Sequence, residues 1–173
     1  MTFEEFAAGR LPALLRFAAV LTGDRAGAED VVQEVLIRAH RQWDKIGDLD
    51  RPELYVRKMI VNEFISSRRR LWRVVPAGRG VDLDVRVAPD HAGAHAERQA
   101  LLAELARLPG RQRAVLVLRY YEGLDDAEIA DVLGCAPGTV RGYASRALAT
   151  LRVAVPEPQR AAPGGRRKAD ERA

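Results

Sequence analysis

A single cysteine, Cys135, stands in the whole chain, so no internal disulfide can form and a reducing compartment suits the protein. Aromatic residues make up only 6% while hydrophobic residues reach 47% and charged ones 30%, which points to an Ala-, Leu- and Arg-rich helical fold in water. No run approaches the roughly 20 apolar residues that cross a bilayer. The chain opens on Glu4 and Glu5 rather than a basic run before an apolar core, so no signal peptide is read and a cytoplasmic location is expected, with no membrane insertion. Catalytic signatures are missing too. No Ser/His/Asp set, phosphate-cradling glycine loop or carboxylate pair stands out, so an enzyme is not expected, nor is a cofactor. His91 and His95 have a spacing that could hold a metal on a helix, with Asp90 adjacent, but no cysteine lies nearby and no metal site is expected.

What the chain does have is positive charge in a particular order. The net charge is +4 and the pI near 9.6, which is compatible with a polyanionic partner. Residues 1–34 carry three arginines against six acids, and residues 35–70 carry nine Lys/Arg against five acids. The pattern then repeats: five arginines against seven acids over 97–131, and three arginines with no acid over 132–152. Two modules are expected, each with an acidic start and a basic helical end.

Helical periodicity runs from Phe3 to Leu21 and is broken by Thr22-Gly23-Asp24. A second helix is expected from about Ala26 to Trp43, with Val31, Val35 and Ala39 on its buried face, followed by a polar loop over Asp44–Asp50. Pro52 then starts a long helix to about Arg70. Leu71 to Ala96 has no sustained period and reads as a linker. Helices resume near Glu97, break at Pro109-Gly110 and continue from Arg111 to Tyr121. The Pro-, Gly- and charge-rich tail is expected to be disordered. The expected architecture is all-α: two small helical domains, residues 1–70 and 97–152, joined by a flexible linker over 71–96, with a tail over 153–173.

The segment Leu124–Arg152 reads as a helix-turn-helix. Ala130 lets two helices approach closely, Gly134 supplies a left-handed turn residue, and Val140 anchors the second helix on the first. Asp125-Asp126 reads as the cap of the first helix. In the second helix Val140, Ala144, Ala147 and Leu151 share a buried side, leaving Thr139, Arg141, Gly142, Ser145, Arg146 and Arg152 outside. Arg141 and Arg146 are the expected major-groove residues, because arginine pairs bidentately with guanine. Thr139 lies near the helix start, where free N–H groups favour phosphate. Cys135, at the corner, reads as a small packing residue.

On the helix from Pro52 to Arg70, Leu54, Ile60, Val61, Phe64 and Ile65 gather on one side and Tyr55, Lys58, Asn62, Ser66 and Arg69 form a stripe on the other. An aromatic, an amide and cations on one exposed face can stack on bases and hold phosphates. A simple solvated face remains the other reading. Trp43 is open to two readings as well, a stacking platform or a core residue closing the second helix.

Taken together, AGAEDVVQEVLIRAHRQW, RPELYVRKMIVNEFISSRRR and LARLPGRQRAVLVLRYYEGLDDAEIADVLGCAPGTVRGYASRALATLR resemble regions 2 and 4 of the sigma-70 family, in its short extracytoplasmic-function (ECF) form. The wording VNEFISSRRR is similar to an actinobacterial SigE-like subgroup. The resemblance covers about residues 3–70 and 98–152. It implies a sigma factor that binds core RNA polymerase, at the beta-prime clamp and beta flap, and directs initiation at promoter DNA. It places Asp30, Gln33 and Glu34 against the clamp. Tyr55, Lys58, Asn62 and Arg69 would face the melted −10 strand, with Trp43 and the Asp44–Asp50 loop nearby. Thr139, Arg141, Ser145 and Arg146 would read the −35 duplex, with Arg111 and Arg113 at its phosphates. An anti-sigma factor is a further implied partner. One departure stands out: Gly142-Tyr143 replaces the Ser-Arg common in the family, removing one cation. Two other readings stay open, a stand-alone helix-turn-helix regulator and an RNA-binding or polymerase-associated module without promoter specificity.

Overall fold

The structure is a computed structural model that describes residues 1–74 and 92–154, with side chains over 1–68 and 98–152. Most of the expected linker, the tail beyond Ala154, and the side chains of Arg69, His91 and His95 lie outside the described residues. All described elements are helical. They run α1 (Phe3–Thr22), α2 (Arg25–Arg41), α3 (Trp43–Ile46), α4 (Pro52–Val74), α5 (Ala92–Arg107), α6 (Gly110–Leu116), α7 (Asp126–Leu133) and α8 (Pro137–Ala154). A single π-helical stretch, Val117–Tyr121, continues α6.

Local chemistry explains most of the boundaries. Thr2 and Glu5 form a reciprocal capping box on α1, and Gly23 closes it in the left-handed region at φ 88°. Asp24 then caps α2 by accepting from the Gly27 N–H at 2.6 Å. Asp125 and Glu128 repeat the capping box on α7, so of the expected acidic pair it is Asp125 that caps. Gly134 ends α7 at φ 60°, ψ 48°, the left-handed turn anticipated for that glycine.

Three details depart from the sequence reading. Part of the expected polar loop is helical: Trp43–Ile46 forms one turn, packed so closely that a Cβ on Gly47 would sit 2.9 Å from the Trp43 indole nitrogen. On α4 the fully buried positions are Val56, Ile60, Val61 and Phe64, while Leu54 is only half-buried, which moves the inward face slightly around the helix. The helix after Pro109 also does not stay α-helical. The Glu122 N–H bonds to the Val117 carbonyl and the Leu124 N–H to Leu118, widening the turn just before the helix-turn-helix.

The core is continuous across both halves of the chain. Phe6, Leu14, Phe17, Leu21, Val35, Ile60 and Phe64 from the first half join Val115, Leu118, Ile129, Val140 and Ala144 from the second. Helix α4 is the seam, packing on α1 and α2 on one flank and on α6 and α7 on the other. A satellite cluster of Leu108, Leu116 and Ala147 ties α5 and α6 to α8.

Gly134 gives a clean test of the corner. A Cβ there would meet nothing within 4 Å, so Gly134→Ala suffers only from its left-handed backbone. It is expected to lose about 1–2 kcal/mol of stability in a denaturant titration.

Candidate nucleic-acid and polymerase interface

Helix α8 seats itself on α7 and α6 through Val140, Ala144 and Ala147, all buried. This leaves Thr139, Arg141, Ser145 and Arg146 together on the exposed side. Arg141 lies 3.8 Å from Asp126, a carboxylate that also pairs with Arg119. With its side chain 66% exposed, Arg141 is held loosely and an ion pair of this kind contributes little. It can leave Asp126 for a base edge. Arg146 folds back over the Tyr143 ring, its guanidinium carbon 5.3 Å from the centroid.

Helix α4 carries the second exposed face. Tyr55, Asn62 and Ser66 are exposed and Lys58 half-buried along one stripe, opposite the packed residues. Glu63, almost fully buried on the α2 flank, accepts from Arg38 at 2.6 Å and ties α2 to α4.

Helix α2 presents Asp30, Gln33 and Glu34, all exposed and within one turn of each other. Beside them a groove of about 780 Å³ opens between α1 and α2, lined by Leu11, Leu15, Val32, Leu36 and Ile37. Ile37 is 44% exposed and extends the Asp30/Gln33/Glu34 face by one turn. The sequence reading missed it. The signal was available, because the buried series Val31, Val35, Ala39 leaves Ile37 on the outer side of the helix.

One expected contact residue needs correction. Arg113 is not at a surface that phosphate could reach: it is 1% exposed, and its guanidinium donates to the carbonyls of Leu21 (2.7 Å), Thr22 (2.9 Å) and Ala106. The chain after Pro109 turns so that Arg113 points inward along with Ala114 and Val117. Burial first, then the neighbouring Arg68 cation, pull its pKa down to about 9 against the pull of Asp24, which leaves it charged at neutral pH. Trp43 is half-buried. Its ring lies half-buried against Phe3 and Phe6, and its indole N–H donates to the Met1 carbonyl at 3.1 Å, so it packs on the edge of the core with part of the ring still exposed. Arg111 stays half-buried at the edge, donating at 3.4 Å to the Leu133 carbonyl at the end of α7.

Comparison with known proteins fits this layout. Residues 8–74 match the family model of Sigma-70 region 2, and residues 98–151 that of Sigma-70, region 4. The RNA polymerase sigma-E factor of Streptomyces avermitilis is 36% identical over 157 residues, covering 88% of this chain and 84% of that protein. The chain belongs to the sigma-70 family, among the ECF sigma factors. As a sigma factor it directs transcription initiation. The ECF RNA polymerase sigma factor SigL of Mycobacterium tuberculosis is 39% identical over 149 residues, covering 83% of each protein. Among solved structures, the sigma factor RpoE of Bartonella quintana, solved with the anti-sigma factor NepR, matches at a TM-score of 0.67 and 30% identity, over 88% of this chain and 95% of its own.

Within this sigma factor nothing in the packing requires a glycine at position 142. A Cβ on Gly142 would meet the Arg146 guanidinium at 3.7 Å, so an alanine fits beside Arg146 as it lies back on Tyr143. That spacing is ordinary van der Waals contact. Among the described residues there is no group of three or more His, Cys, Asp or Glu side chains that could hold a metal, and no helix long and apolar enough to cross a membrane. Gly142→Ala is expected to fold normally and gain up to about 1 kcal/mol from helix propensity, read as a higher midpoint in thermal unfolding.

Proposed function

We propose that this sigma factor reads a promoter at two places and docks on core RNA polymerase through a third. Thr139, Arg141, Ser145 and Arg146 of α8 enter the major groove of the −35 duplex, with Arg111 at the edge of that contact. Tyr55, Lys58 and Asn62 of α4, continued by Arg69, capture the melted −10 strand by stacking and hydrogen bonding to its unpaired bases. Asp30, Gln33 and Glu34 of α2, with Ile37 and its groove, meet the beta-prime clamp, and the second domain meets the beta flap. The functional units are residues 1–70 and 97–152, and the protein acts in the cytoplasm beside the polymerase.

The observation that carries this reading is the separation of the exposed faces by chemistry. The α2 face is acidic and apolar, suited to a protein. The α8 face is cationic with hydroxyls and no carboxylate, suited to duplex DNA. The α4 face adds an aromatic and an amide, suited to unpaired bases. None of this needs an acid–base pair, so the factor contributes binding energy and leaves the chemistry to the polymerase. Two DNA contacts on one chain raise each other's effective concentration, and each alone can be weak. RpoE of Bartonella quintana and CnrH were solved with NepR and with the cytosolic domain of CnrY, and an anti-sigma factor is the corresponding partner proposed here.

Run-off transcription with purified core polymerase tests the reading. Arg141→Ala is expected to cost about 1–3 kcal/mol in binding a −35 fragment and to relax preference at one base pair. Asn62→Ala should leave that affinity intact while weakening initiation. If the chain never binds core polymerase yet protects a palindrome as a dimer, the stand-alone regulator reading wins.

A further inference from the structure

We propose that Tyr143 seats the Arg146 guanidinium on the exposed face of α8 before promoter DNA arrives, and so makes Arg146 a selective reader of one base pair. The proposal rests on the duplex-reading role given to α8 above, in which Tyr143 itself has no part. Tyr143 acts through Arg146 and is a positioning residue.

Helical period puts the two residues side by side. Val140, Ala144 and Ala147 centre the buried side of α8, and Gly138 and Gly142 centre the opposite side. At about 100° per residue, Tyr143 stands about 60° around the helix from Arg146, at the boundary between the two sides. Tyr143 is half-buried and packs against the core, whereas Arg146 is exposed. The Arg146 guanidinium carbon lies 5.3 Å from the Tyr143 ring centroid. A Cβ on Gly142 would stand 3.7 Å from both terminal nitrogens of Arg146. The guanidinium therefore lies about one turn N-terminal to its own Cα. Long side chains lean that way on any helix, and here a ring face meets the end of that reach.

Such a seat has a chemical consequence. An arginine loose in water samples many rotamers, and DNA must freeze them before it is read. Contact with an aromatic ring uses the flat face of a guanidinium and leaves its in-plane N–H groups open. Those are the donors that meet guanine O6 and N7 as a bidentate pair. The displacement matters as well, because the N-terminal part of a recognition helix is the part that meets base edges. An unseated Arg146 reaches equally for phosphate, a contact that carries no sequence information. Seated, its donors stand at the level of Gly142.

Arg141 is held by a different device. It leans the same way, with a terminal nitrogen 3.8 Å from where a Cβ on Gly138 would stand, but it faces the Asp126 carboxylate. To reach DNA it must exchange that partner. Arg146 makes no ion pair among the described residues, and the ring is the contact that places it. A cation resting on a neutral ring keeps its full charge for DNA. The two arginines thus differ in how they are prepared, one tethered to a carboxylate and one aligned by an aromatic face.

Holoenzyme assembled from core polymerase and the full chain, offered a promoter library randomised over the −35 element, tests the seat. Wild type and Tyr143→Phe should demand guanine at one position to the same degree. Tyr143→Leu keeps an apolar side chain against the core but loses the ring. It should weaken that preference about two- to fivefold, the strength of an exposed cation–ring contact, and leave the other positions alone. Its binding should fall with salt at the wild-type slope, since no cation is removed. Arg146→Ala should lose the same guanine, and adding Tyr143→Leu to it should change nothing further. In the NMR spectrum of the full chain without DNA, the ring should shift the Arg146 methylene resonances upfield. A Tyr143→Leu variant that keeps its guanine, or that weakens every position alike, overturns the seat. So do unshifted Arg146 resonances in the wild type, the measurement that decides if Tyr143→Leu fails to fold. An Arg146→Ala holoenzyme with unchanged −35 preference overturns the duplex-reading role of Arg146, and the use of the seat with it, even where the upfield shift is present.

Discussion

Helix α4 has to satisfy both halves of the molecule and still keep a free face. Val56, Ile60, Val61 and Phe64 are fully buried. Glu63 holds α2 through Arg38, while Arg57 reaches Glu122 beyond α6. A helix presents about 3.6 residues per turn, so these obligations leave one stripe for solvent, and Tyr55, Lys58, Asn62 and Ser66 occupy it. The exposed stripe is therefore what packing leaves over.

Buried charge does for the interface what apolar packing does for each domain. An apolar seam alone is tolerant of sliding, whereas a guanidinium aimed at particular carbonyls is satisfied in one geometry only. Arg113 and Arg57 thus fix how the second domain sits on the first. The exposed faces on α2, α4 and α8 stay separate and differ in chemistry, one acidic and apolar, one with an aromatic and an amide, one cationic.

Much of the candidate site was legible in the residues. Ala130, Gly134 and Val140 behave as their chemistry demands, because steric fit and a left-handed turn are local requirements. The outward set on α8 and the stripe on α4 follow from helical period, which tertiary packing did not disturb. The misreadings share a cause. Arg113 looked like a surface cation because arginine usually is one, and only the carbonyls of Leu21 and Thr22, over 90 positions away in the chain, make its burial tolerable. Trp43 was ambiguous for the same reason, its partners Phe3, Phe6 and Met1 lying at the opposite end of α1 and α2. The π-helical turn carries no glycine or proline to announce it.

By itself the sequence determined the helices, their caps and which face of each is polar, because those depend on residues within a turn or two of one another. It also carried the family, since two motifs in order are a sequence property. The tertiary structure alone decided that the two domains share one core, that Arg113 closes two helix ends and that a groove opens between α1 and α2 beside Ile37. These depend on groups far apart in the chain coming within hydrogen-bonding or van der Waals distance, and helical period carries no record of that.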